Sequence, residues 1–110
     1  MIEITLWQNQ GQEMTKFLVQ GHSAYGKKGW DIVCSAVSAL TLATVNGLTD
    51  YVKLAVDLEV KDGYVSCQLP DQMEDEQKIQ AQAILNVMDL AFQNIENQYQ
   101  EYIGIKRIHP

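Results

Sequence analysis

Positive charge is scarce in this chain: eight Lys and Arg stand against fourteen Asp and Glu, a formal net charge of −6. That balance argues against direct nucleic-acid binding, which calls for a basic patch or stripe, and is compatible with a basic partner. No apolar run reads as long enough to span a bilayer. The first residues, MIEITLW, alternate, where an export signal would set an apolar stretch behind a basic one. The expectation is a cytoplasmic protein without membrane association, whose two cysteines, Cys34 and Cys67, stay reduced. Those cysteines and the two histidines, His22 and His109, lack the close pairing, such as C-x-x-C, by which structural zinc is held. The acidic run after Pro70 lacks the spacing of a calcium loop. P-loop, G-x-G-x-x-G and G-x-S-x-G motifs are all missing. No metal and no cofactor is expected.

What is present is 110 residues, 46% of them apolar, enough for one domain, 1–110, around a modest core. Residues 2–7 alternate apolar against polar and read as a strand. A turn over Asn9, Gln10, Gly11 and Gln12, with Gly11 placed to take positive φ, leads to a second strand over 14–20. A helix over about 31–46, with Gly47 as its stop, carries the stripe Val33, Ala36, Val37, Leu40, Ala43 and Thr44. Residues 51–60 read as a third strand, with Val52, Leu54, Val56, Leu58 and Val60 on one face. An Asp62-Gly63 turn follows, then a fourth strand over 64–69 that points Cys67 into the core. A long helix after Pro70 buries Ile84, Val87, Met88, Ala91, Phe92, Ile95 and Tyr99. Residues 101–108 add a short last strand. The class is α+β: a small mixed or antiparallel sheet of four to five strands with two main helices, order ββαββα(β).

The chemistry concentrates in residues 21–40, GHSAYGKKGWDIVCSAVSAL. Asp31 suits the N-cap position, its carboxylate accepting from exposed backbone N–H groups. Cys34 is then the third helical residue, where the helix dipole favours thiolate; a small buried cysteine is the equally weighted alternative. His22, at a strand end, can act as general base toward that thiol, or be a surface histidine. The glycine-punctuated loop between them is short enough to bring the two into contact. Ser38, four residues after Cys34, shares its face of the helix and either serves the site or bonds back to a carbonyl. Lys27 and Lys28 meet a substrate carboxylate or water; Tyr25 and Trp30 meet an apolar substrate side chain or pin the loop. Cys67 reads as structural.

This stretch resembles the signature of the ribosomal-processing cysteine protease family, Prp: G-H, a glycine-containing loop, then D-I-V-C-A-A-V-S-A-L. Ser35 stands where the family pattern has alanine. The resemblance implies a cysteine endopeptidase that removes a short N-terminal extension from a basic large-subunit ribosomal protein, L twenty-seven, by cleavage after a phenylalanine. It implies His22 and Cys34 as the catalytic dyad and Asp31 and Ser38 as supporting residues. It also implies a homodimer and a substrate loop over 22–33, which here holds Tyr25, Gly26, Gly29 and Trp30 and follows Gly21. The resemblance implies that this loop moves to admit substrate, and the expected mechanism has backbone N–H groups at the helix start stabilise the oxyanion. The competing expectation is a non-catalytic, ribosome-associated module that binds the same basic peptide. A thiol redox protein is disfavoured, because Cys34 has no neighbouring resolving cysteine.

Overall fold

The computed structural model describes residues 1–21 and 28–110, with backbone alone for 28–31. The elements are β1 (Ile2–Gln8), β2 (Met14–Gln20), α1 (Lys28–Asn46), a π-helical turn (Gly47–Tyr51), β3 (Asp57–Lys61), β4 (Tyr64–Gln68), α2 (Asp75–Gln98) and β5 (Ile103–Ile108). The strands form one mixed sheet in the order β3-β4-β2-β1-β5. All neighbours are antiparallel except β1 and β5, which run parallel.

Register decides which side chains meet the helices. Ile4 pairs with Val19, Leu6 with Phe17, Phe17 with Cys67, and Ile2 with Ile103. Side chains alternate across a sheet, so these residues share one face. That face is sealed at its centre, where Ile4, Leu6, Phe17, Cys67 and Ile103 are buried. They form one core with Val33, Val37, Val45 and Leu48 of the α1 segment and with Ala81, Leu85, Met88 and Phe92 of α2. The other face carries Glu3, Trp7, Lys16, Gln20 and Glu59, and Lys16 lies over the Trp7 ring at 4.8 Å.

Several expectations are corrected. α1 begins at Lys28, so Asp31 is its fourth residue and not its cap. Gly47 does not stop the winding: the chain widens into the π-helical turn, and Lys53, with φ +66, marks the change of direction beyond it. The third strand is therefore short. Val52 and Leu54 are buried, as an alternating strand would place them, but they lie in irregular chain before β3. In the β1–β2 turn the positive φ falls on Gln12 (+64) and not on Gly11. The Asn9 side chain holds this turn by accepting from the Glu13 N–H at 2.9 Å. In α2, Val87 is exposed, and Leu85 and Asp89 are buried in the stripe.

The segment Ile32–Tyr51 is also long and apolar enough, by length and composition, to cross a membrane: 20 residues of mean hydropathy 1.6. This corrects the expectation that no apolar run is long enough to span a bilayer. In this fold its buried stripe packs into the sheet's core, the role of a core helix.

Candidate active site

α1 does not cover the whole inner face of the sheet. Between it and the β3–β4 hairpin lies an open cleft of about 400 Å³. Cys34, Val37, Ser38, Thr41, Leu42 and Val45 form its helical wall, and Val19, Leu58, Val60 and Val65 its floor. Helical spacing explains the wall: residues three and four apart stand on one face, so Cys34, Ser38, Thr41 and Val45 stack along the cleft.

The two cysteines are in opposite situations. Cys34 is partly exposed on the cleft, whereas Cys67 is buried at the sheet centre. Burial, helped by the Asp57 carboxylate, pushes the Cys67 thiol up to about 11, so it stays protonated and unreactive at neutral pH. The expectation of a structural Cys67 fits this placement. Cys34 is the seventh residue of α1, in its second turn. Because the dipole's influence falls off beyond the first turn, the helix end acts on this thiol less than the sequence implied.

The hydroxyls along the wall also differ. Thr41 donates back to the carbonyl of Val37 at 2.7 Å. Ser38 is exposed in the cleft and makes no such bond among the described residues, so its hydroxyl faces whatever enters.

Gly21 closes one end of the cleft. Its N–H donates to the Gly63 carbonyl at 2.9 Å, tying the end of β2 to the β3–β4 turn. Its φ is +134, and a Cβ there would stand 2.6 Å from the Met1 carbonyl oxygen and 2.9 Å from the Ile2 Cα. Only glycine fits this backbone. At the rim, Lys61 pairs with Glu59 at 2.6 Å and lies 5.2 Å from the centre of the Tyr64 ring. The hydrogen bond to Glu59, then its charge, holds the Lys61 ammonium above its usual range.

Of the residues singled out from sequence, the fold brings Gly21, Cys34 and Ser38 to one cleft. Gly29, Trp30 and Asp31 lie in the first turn of α1, so the expected loop over 22–33 is shortened by the helix that starts at Lys28. His22, Tyr25, Gly26 and Lys27 lie outside the described residues. The sequence reading missed Leu42, Leu58 and Val60 as cleft residues. The signal was an apolar alternation on β3 that the expected elements could not fully cover.

A small α+β fold that presents one cysteine on an open cleft and buries the other suits a thiol-dependent hydrolase, in which the accessible sulfur is the nucleophile. Comparison with known proteins narrows it: the family model described as "Cysteine protease Prp" matches residues 1–104, and the chain belongs to that family of cysteine proteases. A ribosomal processing cysteine protease Prp from Staphylococcus aureus is 31% identical over 107 residues, spanning 96% of this chain and 97% of the relative. The crystal structure of an essential ribosomal processing protease Prp from S. aureus in complex with a substrate peptide superposes with a TM-score of 0.85 at 27% identity, covering 98% of this chain and 100% of that one. The same enzyme with a covalently linked product peptide gives 0.84 at 29% identity, over the same shares.

Proposed function

We propose that this protein is the endopeptidase that removes the short N-terminal extension of large-subunit ribosomal protein L twenty-seven in the cytoplasm, cleaving after a phenylalanine. The observation that carries the reading is the placement of Cys34: a partly exposed thiol on the wall of an apolar cleft, in a fold whose S. aureus relative holds a covalently linked product peptide. The net charge of −6 suits a basic ribosomal substrate. A homodimer is the proposed assembly; the exposed Ile79, Val87 and Leu90 on α2 give it apolar surface to bury.

In the proposed reaction His22 takes the proton from the Cys34 thiol. The thiolate sulfur attacks the peptide carbonyl carbon after the phenylalanine, and the carbonyl π pair moves to oxygen. Collapse of this tetrahedral adduct breaks the C–N bond, and the imidazolium of His22 gives its proton to the leaving amine. Water then attacks the thioester, yielding a carboxylate and restoring the thiol. Ser38 faces the same cleft and supports the bound chain by hydrogen bonding; Asp31 supports the dyad from the first turn of α1.

The test is digestion of a peptide spanning the extension, read by mass spectrometry, with and without iodoacetamide pretreatment, alongside Cys34→Ala. Cleavage after phenylalanine that is lost on alkylation and in the folded variant is the expected result. Tight binding without cleavage would replace the enzyme by a peptide-binding module, and turnover retained in Cys34→Ala would overturn the nucleophile.

A further inference from the structure

Gly21 is held from both sides at the end of β2. Glu3 pairs with Gln20, and Gln20 with Tyr64, so the residue one step beyond stands between the start of β1 and the β3–β4 turn. On the β1 side the space is full: the Met1 carbonyl oxygen and the Ile2 Cα crowd the place a Cβ would take. Ile2 is itself fixed, its N–H donating to the Tyr102 carbonyl at 2.8 Å. This close approach demands glycine, the residue whose backbone is freest. On the other side the Gly63 carbonyl accepts from the Gly21 N–H at 2.9 Å and takes that freedom back. Gly63 holds its carbonyl there with φ +67, left-handed backbone that β-branched residues all but never adopt. Gly21, Gly63 and Cys34 line one cleft, and the residue that follows Gly21 in the chain is His22.

We propose that Gly63 is a positioning residue of this protease: by accepting from the Gly21 N–H, its carbonyl fixes the point of the backbone from which His22 reaches Cys34. The inference rests on the proteolytic reading above, with His22 as the base, and deepens it. A base takes a thiol proton only within hydrogen-bond reach, about 3 Å. Misplacing such a group by about 1 Å costs on the order of a hundredfold in rate. A base attached to the most permissive residue type therefore needs its anchor fixed from outside that residue. The Gly63 carbonyl supplies this on the side that β1 does not reach. The tie is main chain to main chain, so it depends on the backbone of the β3–β4 turn and not on any side chain.

The experiment follows Cys34 alkylation by iodoacetamide against pH in wild type, Gly63→Val, Gly63→Asn, His22→Ala and the Gly63→Val/His22→Ala double variant. It adds kcat and KM on the extension peptide for the proteins that keep His22. Valine does not hold the φ of Gly63, whereas asparagine takes it readily. Urea melts establish that the variants are folded; if Gly63→Val is not, Gly63→Ala, which strains the turn less, takes its place. The expected result is a loss of about tenfold in kcat for Gly63→Val with KM near the wild-type value. Its alkylation profile should move toward that of His22→Ala, Gly63→Asn should recover both quantities, and the double variant should react like His22→Ala alone. A turn that served stability only would leave the alkylation profile of folded Gly63→Val at wild type; that result would overturn the inference and leave the protease reading standing. An equal shift with and without His22 would place the effect on Cys34 directly and equally overturn it. Coincident profiles for wild type and His22→Ala would remove His22 as the base, and the inference with it. No turnover of the peptide by wild type would overturn the protease reading itself.

Discussion

Arg107 on β5 and Asp89 on α2 meet through a two-pronged pair: Nη1 donates to Oδ2 at 2.9 Å and Nη2 to Oδ1 at 2.6 Å. Gln93 adds a third donor to the same carboxylate at 3.0 Å. Register puts Arg107 opposite Leu6, on the helix-facing side of the sheet, so the pair fastens the parallel edge strand to α2. Planar two-pronged pairing fixes orientation as well as distance.

Replacing Asp89 by Asn leaves the guanidinium partly buried without its counter-charge. The expected cost is about 2–3 kcal/mol in urea unfolding, below that of a fully enclosed pair because Arg107 keeps a third of its side chain exposed. Acid should act in the same direction. Burial pushes the Asp89 carboxyl up, but hydrogen bonds from Arg107 and Gln93 and the Arg107 charge outweigh it and hold the carboxyl below its usual range. A carboxyl with a depressed folded pKa stabilises the protein above its unfolded value, about 4, and loses that contribution as pH falls through the folded value. The urea midpoint of wild type should therefore drop in acid more steeply than that of Asp89→Asn; parallel curves would remove the pair from the acid response.

Thiol chemistry should separate the two cysteines. Iodoacetamide at neutral pH is expected to add one carbamidomethyl group, at Cys34, with Cys67 labelled only after denaturation. Peptide mapping checks this. Labelling of native Cys67 at a comparable rate would contradict its burial and its thiol near 11.

Gly21→Ala should destabilise by at least about 2 kcal/mol, since the backbone there is strained for any L side chain and the added carbon meets main-chain atoms that have no room to give. Because the residue also closes the cleft, peptide cleavage should fall further than the lost stability explains. A wild-type melting curve for the variant would show that the end of β2 can rearrange.

Gln82 acts as a side-chain strand. It accepts from the Met14 N–H and donates to the Met14 carbonyl, each at 2.8 Å, at the start of β2. Gln82→Ala should cost about 2 kcal/mol for the two lost bonds. Gln82→Glu keeps the acceptor, loses the donor and should fall between. Chemical denaturation of the three proteins orders them.

The elements that sequence made legible are those with a clean period. The alternation of residues 2–7, the strand-length run 14–20 ending at Gly21 and the long stripe of α2 are local signals, and β1, β2 and α2 follow them. Residues 51–60 failed because burial and strand pairing part company there. Val52 and Leu54 reach the core from irregular chain, so their spacing imitates a strand that Lys53, with positive φ, does not permit. The start of α1 failed for a different reason: Asp31 is a good cap by type, but helical backbone already runs from Lys28, and capping preference cannot reveal a helix that begins earlier. At the site, spacing alone placed Cys34 and Ser38 on one helix face. The apolar floor was hidden, since Leu58 and Val60 look like core to any reading that cannot see where α1 ends its cover.

The parallel pairing of β1 with β5 joins the first strand of the chain to the last. A nascent polypeptide can form the β1–β2 hairpin early, but one side of β1 stays an open edge until β5 is available. Contacts of such long sequence separation close slowly, because loop entropy is lost before any pairing is gained. An intermediate with β1 exposed presents unpaired Ile2, Ile4 and Leu6 to any other extended chain. During synthesis the protein is thus most vulnerable to mispairing just before its final strand arrives, and the Asp89–Arg107 clasp is what secures that strand once it does.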